Sequence, residues 1–132
     1  MNALGNLGNC YFSLGEADKA IGFYKHAVVV AHELSDRRGE GSALGNLGNV
    51  YYDLGETHKA IAFHEQHLAI AREIGDHYGE GIALFNTGLA LYDLGEKDRA
   101  IHLVKGALEI FEAIESPNAE VARDQLTQWG AL

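Results

Sequence analysis

Apolar residues along this chain recur three and four positions apart rather than at every second position. Leu4, Leu7, Gly8, Tyr11 and Leu14 fall on one stripe at 100° per residue. Leu44, Leu47, Gly48, Tyr51 and Leu54 repeat it, and so do Leu84, Thr87, Gly88, Leu91 and Leu94. Each stripe predicts a helix, helix A, that runs into Leu-Gly-Glu, so that Gly15, Gly55 and Gly95 stand where a left-handed C-terminal cap is needed. A second helix, helix B, follows through Ala20, Ile21, Phe23 and Ala27, matched by Ala60, Ile61, Phe63 and, out of keeping, His67. Asp36, Asp76 and Ser116 then share one register. Each can accept hydrogen bonds from free N–H groups as an N-cap, and Ser116 is followed by Pro117 at a first helical position.

The units are copies of one another. Set at an offset of 40, residues 1–40 and 41–80 agree at 20 positions, and residues 41–80 and 81–120 at 16. Fixed-period similarity predicts one domain over 1–132, an all-α stack of helical hairpins with repeats at 1–35, 36–75 and 76–115. Gly8, Gly48 and Gly88 lie inside helix A, where each costs roughly 1 kcal/mol relative to Ala. That repeated cost predicts close approach of helix B, with the small Ala20, Ala60 and Ala100 facing them. Cys10 shares the register of Val50 and Ala90 and is read as a core position.

The two ends differ. Beyond residue 116 the stripe moves to Ala119, Ala122, Leu126 and Trp129, while Asp124, Thr127, Gln128 and Ala131 take the old face. Residues 116–130 are therefore expected to be a capping helix anchored by Trp129. The first helix A lacks its opening turn and an N-cap. The chain is thus expected either to be an excerpt of a longer array or to have this end covered by another molecule, as in a homo-oligomer joined through its N-terminal edge.

The order Leu, Gly, Tyr in "LGNVY", followed by Ala60 and the aromatic residues of helix B, resembles the tetratricopeptide repeat in a 40-residue form. "GNLGNVYYDLG" and "AIAFHEQHLAIAREIGD" are similar to the repeats of spindle-orientation adaptors of the Partner-of-Inscuteable type and, more distantly, of kinesin light chains. The resemblance covers essentially the whole chain. It implies a right-handed superhelical stack whose A helices line a concave, protein-binding surface. The third copy departs from the pattern, with Thr87, Leu89 and Leu91 where the others carry Leu, Asn and Tyr.

Composition narrows the chemistry. The net charge is −9, from 10 basic and 19 acidic residues, which repels phosphate backbones and makes nucleic acid a poor partner. The longest apolar run, residues 27–31, is far short of the roughly 20 residues a membrane span needs. No secretion signal opens the chain, and a single cysteine points to a reducing compartment, so a cytoplasmic location is expected. "FHEQHLA" places His64 and His67 three apart, whereas the zinc-protease helix needs four, so both are read as packing residues and no metal is expected. No Ser or Cys stands in a nucleophile turn, and neither enzyme activity nor a cofactor is expected.

Opposite the buried stripe of helix A stand positions 2, 5, 6, 9, 12 and 13 of each unit. Asn is a mediocre helix former, so Asn2, Asn6, Asn9, Asn46, Asn49 and Asn86 on that face ask for a reason. A carboxamide offers both donor and acceptor, which suits the backbone of a bound peptide. Phe12, Tyr52 and Tyr92 would add apolar contact, and Asp53 and Asp93 would repel a carboxylate. The predicted site is a peptide-binding groove made of Asn6, Asn9, Phe12, Asn46, Asn49, Tyr52, Asp53, Asn86, Tyr92 and Asp93. The alternative is a self-assembly element that forms homo-oligomers through the first repeat.

Overall fold

The computed structural model describes residues 3–132 and is helical throughout. Seven helices follow one another: α1 (Ala3–Ser13), α2 (Ala17–Glu33), α3 (Arg37–Asp53), α4 (Thr57–Ile74), α5 (His77–Asp93), α6 (Lys97–Ala113) and α7 (Asn118–Gln128). Each packs chiefly on its neighbours in sequence, and α3 also touches α5. The A helices α1, α3 and α5 therefore form one layer of the stack and the B helices α2, α4 and α6 the other.

Hydrogen-bonded stops separate the helices. At the end of α1, Glu16 N–H donates to Tyr11 C=O at 2.9 Å and Gly15 N–H to Phe12 C=O at 3.0 Å, with Gly15 at φ 78°. These bonds satisfy carbonyls that the helix leaves open. The same closure ends α3 at Gly55 and α5 at Gly95. Asp36 and Asp76 cap α3 and α5 by accepting the N–H groups of Gly39 and Gly79. Ser116 Oγ accepts the N–H of Asn118 at 3.2 Å, while Pro117 precedes the first helical residue instead of being it.

The ends of the B helices use the same left-handed turn, but only Gly75 suits it. Ser35 and Glu115 hold φ of 55° in the corresponding places. An L side chain in that region costs roughly 1–2 kcal/mol. Ser35→Gly and Glu115→Gly are each expected to stabilise the chain by about 1 kcal/mol, read as a higher urea midpoint at unchanged slope.

Packing corrects four sequence expectations. The residues lying over Gly8, Gly48 and Gly88 are Tyr24, His64 and Val104, and a Cβ on each glycine would come within 2.5–2.6 Å of them. Ala20, Ala60 and Ala100 are fully buried, and the Ala100 carbonyl lies 3.2 Å from a Cβ at Gly88, but the nearest contacts come from the larger side chains. A long side chain laid across a bare helix surface fills the space that an Ala would leave empty. Second, Gly5 and Gly45 are buried, not on the outer face, because Gly45 backs onto His67. Third, Cys10 is exposed although Val50 and Ala90 are fully buried. The preceding B helix covers those two, and no described residue covers α1 in that way. Fourth, the closing residues of the A stripes, Leu14, Leu54 and Leu94, lie exposed beside the turns, and Leu7, within α1, is exposed as well.

The C-terminal stripe is buried as its spacing implies. Ala122 and Leu126 are fully covered in a cluster with Leu84, Val104, Ala107 and Phe111, against which Ala119 and Trp129 also pack. Helix α7 thus lies on the third hairpin. Among the described residues no helix is long and apolar enough to cross a membrane.

Candidate functional site

The layer of A helices presents a groove at the junction of the second and third hairpins. Between α3 and α5 lies a cleft of about 190 Å³ that includes Ser42, Asn46 and Asn49 from α3, and Tyr78, Ile82 and Asn86 from α5. A second cavity of about 280 Å³ continues from it toward α7, sharing Asn49, Ile82 and Asn86 and adding Phe85, Phe111, Asn118 and Val121. Three carboxamides meet an apolar trough. The Asn118 amide donates to Tyr78 Oη at 3.3 Å, tying α7 to the rim.

His67 enters the cleft from the B layer. Its ring lies over Gly41 and Gly45, whose missing side chains open a gap in α3: a Cβ at Gly45 would stand 2.6 Å from His67 Nδ1. The imidazole is 7% exposed, and its Nδ1 has no hydrogen-bond partner. His64 is 1% exposed with Nδ1 equally unpartnered. Burial pushes His64 down to about 4, helped by the neighbouring His67, and burial also lowers His67 while Asp76 pulls it the other way. Both rings are therefore neutral at pH 7, as packing residues in this setting must be.

The predicted groove residues divide into two sets. Asn46, Asn49 and Asn86 converge on the cleft, and no hydrogen bond within the described residues engages their side chains. Asn6 stands exposed on α1, away from that cleft, and Asn2 lies outside the described residues. The others, apart from the exposed Asp53, have partners inside the fold. Tyr24 Oη donates to Asn9 Oδ1. Phe12 and Tyr52 pack half-buried against the core cluster of the first two hairpins. Tyr52 Oη donates to Asp93 Oδ2, bridging α3 and α5; burial and this bond push the phenol up to about 12. Tyr92 is stacked on Trp129 with ring centroids 4.1 Å apart, and Asp53 is exposed. The Tyr52–Asp93 bond and the Tyr92–Trp129 stack tie successive units together around the open carboxamides.

Sequence reasoning read His67 as packing and Asp76 as a cap, placed Phe85 on the outer face without a binding role, and left Val121 unassigned. One signal was available. The second copy pairs Gly45 with His67 where the third pairs Phe85 with Ala107, so ring volume moves from helix A to helix B. Val121 and Asn118 had no signal, because α7 obeys no repeat register.

The family model for the tetratricopeptide repeat matches residues 1–73 and, overlapping, residues 40–113. The chain belongs to the tetratricopeptide repeat family. Solved structures share its fold. BtubC (BKLC) from P. vanneervenii superposes with a TM-score of 0.78 at 24% identity, over 85% of this chain and 46% of that one. The TPR domain of Arabidopsis FLU gives 0.79 at 23% identity, over 84% and 93%. The nearly identical TPR-like repeats assigned to a kinesin light chain of Podosopora anserina give 0.80 at 16%, over 96% and 63%. This tetratricopeptide chain thus spans about half the length of BtubC and most of the FLU domain. No curated protein sequence matches it.

Proposed function

We propose that this tetratricopeptide chain is a non-catalytic interaction scaffold that holds a protein segment in the groove between α3, α5 and α7. The observation that carries the reading is the convergence of Asn46, Asn49 and Asn86, free of internal hydrogen bonds, beside the apolar Ile82, Phe85 and Val121. Carboxamides can pair with the donors and acceptors of an extended backbone, and an apolar trough can take side chains that the segment removes from water. Asn6, Asn9, Phe12, Tyr52, Asp53, Tyr92 and Asp93 extend or brace this surface. A cytoplasmic location fits the single unpaired Cys10.

The double substitution Asn46→Ala with Asn49→Ala is expected to weaken peptide capture by about ten-fold or more, since each lost hydrogen bond is worth about 1 kcal/mol. Fluorescence anisotropy with a captured peptide measures this, and unchanged affinity would remove the groove from consideration. A second reading has its own observation. Leu7 is 43% exposed and Cys10 is exposed, while their counterparts Leu47 and Val50 are buried, so the α1 face offers an apolar edge to a second copy. Sedimentation recorded on the same samples separates the two, because self-association through α1 raises the mass whether or not peptide binds.

A further inference from the structure

The cleft between α3 and α5 has a more particular chemistry than a ladder of amides. Its floor is His67, more than nine-tenths buried, with an unpartnered Nδ1. Carboxamides surround that ring, and the single charged residue on the wall is Asp76. Asp76 Oδ1 takes the N–H of Gly79 at 3.0 Å and the guanidinium of Arg38 at 3.0 Å, whereas Oδ2 has no hydrogen-bond partner among the described residues. Neither this cleft nor the adjoining apolar cavity is lined by a Lys or Arg.

The carboxamide oxygens and Asp76 Oδ2 are open acceptors, and the one carboxylate on the wall shares its charge with Arg38. Asp53 lies farther along the same face of α3 with no ion pair, and Asp93 receives only the Tyr52 hydroxyl. The whole chain carries −9. A carboxylate entering here would meet Asp76, whose Oδ1 is held by Arg38 and Gly79 while Oδ2 stays open to a further donor. The volume of about 190 Å³ is below the roughly 300 Å³ at which small-molecule sites begin, so it suits one side chain. Lysine ammonium and arginine guanidinium are donors only, which matches carboxamide oxygens and a carboxylate oxygen.

We propose that this cleft receives one lysine or arginine side chain of the bound segment, with an apolar side chain of that segment seated between Ile82, Phe85 and Val121. The inference rests on the groove reading above and adds the chemical class of the partner. Asp53 and Asp93 favour the approach of such a segment through the field they add.

A displayed library of random dodecapeptides, selected on the full chain, tests it. Recovered peptides are then titrated against the unsubstituted chain, Asp76→Asn, and the Asn46→Ala/Asn49→Ala pair. Asn caps a helix as well as Asp does, so the variant keeps α5 started, and its melting curve checks this. Enriched sequences are expected to carry Lys or Arg with an apolar residue nearby. Replacing that cation with Gln in the peptide is expected to weaken binding about ten-fold, and Asp76→Asn to weaken the same peptide by about five-fold with less salt sensitivity. Enriched peptides that are acidic or uncharged, or that lose nothing on the Gln exchange, overturn the cation receptor while leaving the groove standing if the paired Asn variant still releases them. Peptides held equally by the paired Asn variant, or no enrichment at all, overturn both.

Discussion

Lowering the pH from 7 to 4 is expected to remove about 3 kcal/mol of stability through His64 alone. The ring is 1% exposed, lies across Gly48 and is held down to about 4 by burial and by the neighbouring His67. An unfolded histidine titrates near 6.5, so between 6.5 and 4 the unfolded chain binds the extra proton. Stability is therefore complete above 6.5 and drains away as the pH falls, by about 2 kcal/mol at pH 5. His67 is displaced in the same direction by its burial and adds to the effect. Carboxylates also titrate near pH 4, so the contribution is read by difference, with His64→Tyr as the reference. The first repeat shows that Tyr fits over a helix-A glycine at this register, with its hydroxyl on the following Asn. Urea midpoints for the two proteins should separate steadily below pH 6.5; parallel curves would show that His64 is not buried as described. The Tyr variant should also occupy the Asn49 carboxamide, as Tyr24 occupies Asn9, and so weaken peptide capture at pH 7.

The same substitution, Gly to Ala, is expected to change sign between two helical positions. At Gly88 a Cβ would lie 2.6 Å from Val104 Cγ2 and 3.2 Å from the Ala100 carbonyl oxygen, a backbone atom that cannot swing aside. Overpacking of this kind costs about 1–3 kcal/mol, against about 1 kcal/mol gained in helix propensity, so Gly88→Ala should destabilise by up to about 2 kcal/mol. At Gly22, on the exposed face of α2, a Cβ meets nothing within 4 Å. Gly22→Ala should stabilise by about 1 kcal/mol. Denaturant titration of both variants measures the gap. A stabilised Gly88→Ala would mean that α5 and α6 stand farther apart than the contact with Val104 requires.

The glycine set shows what was legible beforehand. That Gly8, Gly48 and Gly88 mark close helix approach followed from their recurrence at a costly place. Which side chain approaches did not follow, because Tyr24, His64 and Val104 share a register but not a chemistry. The asparagines behave alike. Asn9 and Asn49 are equivalent in the repeat, yet only Asn9 is taken by a hydroxyl, since the second copy has His64 in place of Tyr24. Tyr92 reads as a surface aromatic until Trp129, thirty-seven positions later, is found stacked on it.

Taken alone, the order of residues determined the kind of helices, the glycine stops of helix A, the Asp36 and Asp76 caps, the stacking of hairpins and the changed apolar stripe beyond residue 116. Helix periodicity and capping are interactions over three to five positions, so they are written locally, and a repeat writes them several times. Tertiary structure alone decided which carboxamides remain open, that His67 reaches the floor of the cleft through the gap at Gly41 and Gly45, and that α7 supplies Asn118 and Val121 to the groove. Those outcomes depend on side chains from different helices competing for the same space and the same hydrogen bonds, and that competition exists only once the helices are packed.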